Sequence, residues 1–275
     1  MEGKPVSPSE LLAPETAAYY RNAMRVLSDA GVPFLVGGAY AFQRYTGIVR
    51  HTKDFDLFVK EVDIERALRA MEGAGYRTEM PFPHWLAKAY CVGEDFVDLI
   101  FKSGNGVSTV DDAWFDRSVE DEVLGVPTLI CAPEEMVWTK AFIMERERYD
   151  GADVVHLLRG SAERINWQRM LYLFGPFWRV LLSHLVLFGF IYPSERGRIP
   201  DEVFQELTRR LQEERNSPAP NSKVCFGTLL SRQQYLIDIE EWGFEDARLQ
   251  PRGEMTGEQI EQWTEGIKVD GFGKE

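Results

Sequence analysis

The sequence predicts an α/β protein in which a mixed β-sheet is covered by helices on one side and followed by a helical C-terminal region. Strand-like alternation and helical periodicity succeed one another through residues 1–160. Two apolar segments, AKAYCV and DFVDLIF, flank Gly93–Glu94 and predict an antiparallel hairpin. Beyond Leu158 the apolar periodicity is helical almost throughout.

Start and stop signals divide the chain into elements. Gly31 and Gly75 follow helical segments as C-terminal glycines do, and Asp63 and Pro133 stand where helices typically start. Gly125 separates two short apolar alternations, which indicates two strands. The predicted elements are, in order, a helix at 15–30, a strand at 33–36, a helix at 38–47, a strand at 54–59, a helix at 63–74, a strand at 76–80, the hairpin at 87–101, strands within 119–130, a helix at 133–148 and further helices from 165 onward.

Length and composition favour a folded protein with more than one part. The chain has 275 residues, of which 44% are hydrophobic and 27% charged, enough to bury a sizeable core. NSPAPNS, at 216–222, has the composition of a linker. We therefore predict a main domain at 1–160, a helical region at 161–215, and a linker with a helical extension at 216–275.

The sequence also predicts where the protein works. Its three cysteines show no CxxC spacing, and its N-terminus has no basic start followed by an apolar run, so we expect a cytoplasmic protein with reduced thiols. The apolar run at 170–192 contains Arg179, His184 and a Gly-Pro break. Because an arginine in the middle of a bilayer is costly, we expect buried helices here and no membrane partner.

The most informative stretch runs from Gly37 to Val59. Asp54 and Asp56 lie one residue apart on a predicted strand, so both side chains project on one face, about 7 Å apart along the backbone. Two carboxylates on one face repel each other, and a bound divalent cation reverses that repulsion. Gly37 and Gly38 precede a helix and permit a ligand to approach the backbone closely.

A third carboxylate, Asp98, is the polar residue of a strand that is apolar on both faces. A doubly buried strand rarely tolerates an isolated charge. We therefore expect either an open end of the sheet at Asp98 or a cation beside it.

These residues together resemble the nucleotidyltransferase superfamily with a palm of the DNA polymerase β type. The resemblance rests on Gly37–Gly38, on the segment from Arg50 to Val59 with its two aspartates, and on Asp98. It covers roughly residues 30–160, and it is greatest to the small bacterial branch of antibiotic nucleotidyltransferases and abortive-infection type toxins. It implies that the glycine turn holds nucleotide phosphates and that Asp54, Asp56 and Asp98 bind Mg²⁺.

Basic side chains complete the predicted nucleotide site. Many members of the superfamily have Ser where this chain has Ala39, which leaves phosphate to backbone amides, the helix N-terminus and basic side chains. We take Arg44, Arg50 and Lys53 as candidates, with a surface role as the alternative for the arginines. The resemblance also implies a phosphate-binding lysine after a Pro-Glu-Glu segment, which Lys140 matches; the alternative is a lysine extending from a helix edge to solvent.

The predicted activity is transfer of a nucleoside monophosphate from a nucleoside triphosphate such as ATP to an acceptor hydroxyl, with two Mg²⁺ ions as cofactors. The 44 acidic residues against 31 basic ones favour a small-molecule acceptor over nucleic acid. One alternative is a toxin-like enzyme that modifies tRNA or another macromolecule, and another is a nucleotide-binding module without catalysis. A tRNA groove would draw on the arginines of the helical region: Arg164, Arg169, Arg179, Arg196, Arg198, Arg209 and Arg210.

Overall fold

The computed structural model of the protein describes residues 12–50, 54–91 and 95–269, with the side chains of the last four of these left out. The chain divides into two compact units, one ending at Ala132 and the other beginning at Pro133. The predicted α/β fold class is confirmed, because a mixed sheet and a helical C-terminal part are both present.

The first unit contains four helices and seven strands among its described residues. They are α1 (Pro14–Asp29), β1 (Leu35–Val36), α2 (Gly38–Thr46), β2 (Asp54–Phe58), α3 (Ile64–Gly73), β3 (Arg77–Phe82), β4 (Leu86–Tyr90), β5 (Phe96–Ile100), α4 (Asp112–Asp116), β6 (Val119–Val123) and β7 (Val126–Ile130).

All seven strands join one sheet in the order β3-β4-β5-β2-β1-β7-β6. The pairs β2–β5 and β1–β7 are parallel, and the other neighbours are antiparallel. The predicted hairpin is present as β4 and β5, and the strands predicted about Gly125 are β6 and β7. The sheet therefore places β2, which carries Asp54 and Asp56, directly beside the Asp98 strand.

The two faces of this sheet differ in character. On one face Phe55, Leu57, Val97 and Leu99 are completely buried. Helices cover this face: α1 and α2 each place a tyrosine ring against the Phe55 ring, with centroids 4.8 and 5.1 Å away. Side chains alternate along a strand, so the intervening residues of β2, β4 and β5 point to the opposite face. That face carries charged and aromatic side chains, many of them half-buried.

The second unit is mostly helical among its described residues. Its elements are α5 (Pro133–Ala141), α6 (Gly151–Ser161), α7 (Trp167–Phe174), α8 (Trp178–Ile191), α9 (Asp201–Asn216), β8 (Val224–Cys225), α10 (Leu236–Glu240), β9 (Glu245–Asp246) and α11 (Gly257–Val269). The predicted capping box is present at α11, where Thr256 and Gln259 each accept the other's backbone N–H.

Helix α5 ends earlier than the sequence predicts, so the expectation that it continues to Arg148 is wrong. The helix stops at Ala141, and the N–H of Met144 donates to the Leu230 carbonyl at 3.0 Å. The Glu145 carboxylate also accepts the Arg232 side chain at 2.9 Å. These bonds to the C-terminal part of the unit hold the segment after Ala141 in a turn that a helix does not allow.

The apolar run that we expect to be buried is buried on one side only. It forms α7 and α8, separated by a 3-10 turn at Gly175–Phe177. His184 is buried and contacts the Ala141 carbonyl at 2.9 Å, whereas Phe190 is 80% exposed. Among the described residues, Trp167–Ile191 is the one helical stretch long and apolar enough to span a membrane, by length and composition only.

A buried ion pair connects α5 to α7. Glu135 is completely buried, and its Oε1 accepts the Arg169 guanidinium at 3.0 Å. Burial raises the pKa of Glu135, and Arg169 acts in the opposite direction. The neighbouring Glu134, also buried, accepts the backbone N–H of Asn166. The two acids at the start of α5 thus fasten α7 to α5.

We predict that Arg169→Met lowers the free energy of unfolding by about 3 to 5 kcal/mol, because it leaves the Glu135 charge buried without its partner. Urea denaturation followed by circular dichroism measures the change. The matched control is Arg209→Met: Arg209 also pairs with a glutamate, but its side chain is 52% exposed, so its loss changes the free energy of unfolding much less. Equal effects of the two substitutions would contradict a structural role for the buried pair.

Candidate metal and nucleotide site

Three carboxylates meet on the half-buried face of the sheet. Asp56 and Asp98 are directly opposite each other in the parallel pair β2–β5, and Asp54 lies two residues before Asp56 on β2. Each of the three offers an oxygen within 4.8 Å of an oxygen from both of the others. At about 5 Å, each pair of unit negative charges repels by about 1 to 3 kcal/mol for effective dielectric constants between those of water and a protein surface.

Asp98 is the most buried of the three, at 8% exposure. Burial raises the pKa of Asp98 to about 6, the Lys88 ammonium acts against this rise, and the negative charge of Asp54 adds to it. A carboxyl group in this range changes its protonation near neutral pH.

The predicted glycine turn lies against Asp56. The Gly37 N–H donates to the Asp56 carbonyl at 2.9 Å, and α2 begins at Gly38. Gly38 has φ +51°, and a Cβ at this residue would overlap with the Asp56 carboxylate. A Cβ on Gly37 would overlap with the Phe58 ring. Both glycines are therefore required for the N-terminus of α2 to approach the carboxylates this closely.

Lys88 is a member of the site that sequence reasoning missed. It is opposite Asp98 in the antiparallel pair β4–β5, and its Nζ lies 2.8 Å from Asp98 Oδ1. Nζ also lies 3.7 Å from the centroid of the Phe96 ring. Asp56, Asp98 and Lys88 thus form one row across three neighbouring strands. The cation that we expect beside Asp98 is, in part, this lysine.

The donor set suits a hard divalent cation. Carboxylate oxygens are the protein ligands that Mg²⁺ prefers, and a few of them leave coordination positions for water and phosphate oxygens. Oδ1 of Asp98 is buried, and the Lys88 ammonium lies 2.8 Å from it. A buried carboxylate oxygen gains from a cation. Asp54, Asp56 and Asp98 are accordingly a candidate site for Mg²⁺.

Two predicted phosphate ligands have other contacts within the first unit. Arg44, on α2, forms an ion pair with Asp121 of β6. The Arg50 guanidinium lies 4.3 Å from the centroid of the Phe42 ring. Lys53 lies outside the described residues. The roles of all three in nucleotide binding stay predictions.

Lys140 lies in the second unit, on α5, where it contacts two buried acids. Its Nζ is 3.1 Å from Asp150 Oδ2 and 2.8 Å from Asp153 Oδ2, and its side chain is only 16% exposed. Burial alone would raise the pKa of Asp150, but hydrogen bonds from Arg148 and Lys140 outweigh it and lower that pKa. Lys140 is therefore an ion-paired residue and does not extend freely to solvent. Its predicted phosphate contact stays a prediction.

Comparison with known proteins gives matches among solved structures alone. No family model and no curated protein matches the chain. The solution structure of the antibiotic-resistance factor ANT(2'')-Ia aligns with this chain over 62% of this chain and 96% of the ANT(2'')-Ia chain, with 13% identity and a TM-score of 0.42. The lincomycin-bound lincosamide antibiotic adenylyltransferase LnuA aligns over 53% of this chain and 96% of the LnuA chain, with 12% identity and a TM-score of 0.38.

A crystal structure of ANT(2'')-Ia in complex with adenylyl-2''-tobramycin aligns over 46% of this chain and 75% of the ANT(2'')-Ia chain, with 15% identity and a TM-score of 0.35. Because identities and TM-scores are low, the function proposed below rests on the geometry of the carboxylates and not on these matches.

We predict that Gly38→Ala lowers stability by at least about 1 kcal/mol more than Gly47→Ala does. Both glycines have left-handed backbones, φ +51° and +72°, so alanine is strained at each by about 1 to 2 kcal/mol. At Gly47 a Cβ meets nothing within 4 Å, whereas at Gly38 it overlaps with Asp56. The additional loss at Gly38 measures this overlap.

Urea denaturation of the two variants, in EDTA, measures the difference. Binding of Mn²⁺ is the second measurement, because displacement of the Asp56 carboxylate weakens a site that uses it. Equal stability and equal Mn²⁺ affinity in the two variants would contradict close packing of Gly38 on Asp56.

Proposed function

We propose that this protein is a Mg²⁺-dependent nucleotidyltransferase that transfers a nucleoside monophosphate from a nucleoside triphosphate to the hydroxyl of a small molecule. The observation that carries the proposal is the convergence of Asp54, Asp56 and Asp98 within 4.8 Å, next to a glycine turn that opens a helix. Three clustered acids without a cation are electrostatically unfavourable, so a metal-dependent function explains why the fold brings them together.

In this proposal the three aspartates hold two Mg²⁺ ions. Bound Mg²⁺ would neutralise phosphate oxygens and stabilise the charge that develops when the bond to the leaving pyrophosphate breaks. The N-terminus of α2, with the two glycines in front of it, supports binding of the triphosphate, because free backbone N–H groups and the helix dipole favour anions there. Arg44, Arg50, Lys53 and Lys140 remain candidates for further phosphate contacts.

The proposed reaction forms one P–O bond, breaks another and transfers one proton. The acceptor oxygen attacks the α-phosphorus of the triphosphate, the bond from that phosphorus to the β-phosphate oxygen breaks, and pyrophosphate leaves. The hydroxyl proton passes to a carboxylate of Asp98. Burial raises the pKa of Asp98 to about 6 in the metal-free protein, and bound Mg²⁺ would lower that pKa and keep the carboxylate ionised and able to accept the proton.

The charges of the second unit favour a small acceptor over tRNA. Of the seven arginines that a nucleic-acid groove would draw on, five pair with glutamates and are thereby partly neutralised: Arg169 with Glu135, Arg179 with Glu214, Arg198 with Glu195, and Arg209 and Arg210 with Glu206. Binding of a phosphate backbone requires cationic side chains that contact phosphate. The net charge of −13 adds to this argument and favours a cationic acceptor.

We predict that Asp56→Asn lowers nucleotidyl transfer at least about 100-fold, because the carboxamide removes a metal-binding charge at constant volume. The unfolding temperature in EDTA stays the same or rises, since one source of repulsion is removed. Release of pyrophosphate and a melting curve measure the two effects.

The matched control is Asp112→Asn, which makes the same chemical change at a side chain that is 84% exposed and paired with Lys60. It is expected to retain transfer activity. An active Asp56→Asn protein would remove the basis of the assignment.

Identification of the acceptor requires each α-labelled triphosphate, Mg²⁺ or EDTA, and separate pools of aminoglycosides, lincosamides, tRNA and protein. We expect Mg²⁺-dependent labelling of a small molecule with hydroxyl and amino groups. If tRNA is labelled instead, and labelling falls steeply between about 50 and about 200 mM salt, the toxin-like alternative replaces the small acceptor. Triphosphate binding without any release of pyrophosphate would favour the non-catalytic module.

A further inference from the structure

The row of charged residues across the sheet extends beyond the three carboxylates. The row contains one residue from each of four neighbouring strands: Glu79 on β3, Lys88 on β4, Asp98 on β5 and Asp56 on β2. Each residue is paired with the next across the sheet. Residues directly opposite on neighbouring strands share a face and lie within interaction distance. Lys88 is the positive member of this row, and it lies between two acids.

The position of Lys88 is well determined by its surroundings. Its side chain is only 18% exposed, and Nζ is held both by Asp98 Oδ1 at 2.8 Å and by the face of the Phe96 ring. Lysine is a flexible point charge that loses side-chain entropy when it is held. A lysine held between a carboxylate and an aromatic face therefore indicates a negative local electrostatic potential, that is, a demand for positive charge at this position.

That demand comes from the same carboxylate, Asp98, that would hold a metal in the proposed function. Oδ1 of Asp98 is buried at the carboxylate cluster and faces the ammonium. A divalent ion and an ammonium group on one carboxylate lie only a few ångströms apart and repel each other. The two cations therefore compete for Asp98.

We infer that Lys88 is an internal cation that compensates the Asp98 carboxylate in the metal-free protein and that its ammonium moves away from Asp98 Oδ1 when a divalent ion binds. This inference rests on the proposed metal-dependent function and adds to it a residue that sets metal affinity. Lys88 acts through Asp98 and is a positioning residue. It keeps the cluster folded without metal, at the expense of weaker metal binding.

The first experiment compares Mn²⁺ binding, measured from the electron paramagnetic resonance signal of free Mn²⁺, in the wild type, Lys88→Met, Lys88→Arg and Lys102→Met. We expect Lys88→Met to bind Mn²⁺ at least about tenfold more tightly, because a positive charge next to a ligand atom is removed. Its unfolding temperature in EDTA falls, and Mn²⁺ restores it. Lys88→Arg keeps the charge and stays close to the wild type.

Lys102→Met is the control for overall charge. Lys102 also forms an ion pair, 2.9 Å from Glu61, and its side chain is 27% exposed. It lies four residues beyond Asp98, about 13 Å along the strand direction, where screening at ordinary ionic strength leaves little effect on the cluster. Its loss is therefore expected to leave Mn²⁺ affinity unchanged.

A second experiment uses the wild-type protein and does not depend on the folding of any variant. Reductive methylation followed by mass spectrometry measures the reactivity of individual lysine amines with and without Mn²⁺. We expect Lys88 to react faster when Mn²⁺ is present, because its ammonium has left the carboxylate, whereas Lys102 reacts at the same rate.

The results separate the inference from the proposed function. If the wild type and Asp56→Asn bind Mn²⁺ equally, the metal site of the proposed function is wrong. If the wild type binds Mn²⁺ through Asp56 but Lys88→Met binds it no more tightly, the inference about Lys88 is wrong. If Mn²⁺ leaves the methylation rate of Lys88 unchanged or lowers it, the inference about Lys88 is wrong, whatever the variants show.

Discussion

Electrostatic repulsion among three carboxylates is the constraint on which the rest of the site depends. The parallel pairing of β2 with β5 places Asp56 directly opposite Asp98, and alternation along β2 places Asp54 on the same face. The opposite face of these strands is fully apolar and packed under helices, so the register cannot slip by one residue without burying the charges. The apolar core thus fixes an arrangement of charges that is unfavourable by itself.

The glycine turn at Gly37–Gly38 is also constrained by the carboxylate cluster. Because Gly38 lacks a side chain, the start of α2 comes close to the Asp56 carboxylate, where a Cβ would overlap with it. The positive end of the α2 helix dipole therefore lies next to the Asp56 carboxylate. The first unit thus places a helix N-terminus and the Lys88 ammonium next to its cluster of negative charge.

The sequence predicts the carboxylates well because alternation along a strand is a local property. It also predicts either an open end of the sheet at Asp98 or a cation beside it, but it does not identify Lys88. A two-residue turn at Gly93–Glu94 would place Lys88 opposite Leu99, whereas the observed register places it opposite Asp98. A shift of one residue changes the face of every side chain. The contacts that end α5 at Ala141 join residues more than 80 positions apart, Glu145 and Arg232, and no local pattern encodes them.

The buried Asp98 carboxyl group also lowers the stability of the folded protein at neutral pH. Its pKa is raised by burial from 3.8 to about 6, so the folded chain binds this proton more tightly than the unfolded chain does. Stability that the protonated carboxyl contributes at low pH is therefore lost as the pH rises through about 6. At neutral pH the ionised carboxylate is destabilising unless a cation compensates it. Lys88 lessens that penalty in the metal-free chain, and a bound divalent ion would lessen it further, which would couple cation binding to folding of the first unit.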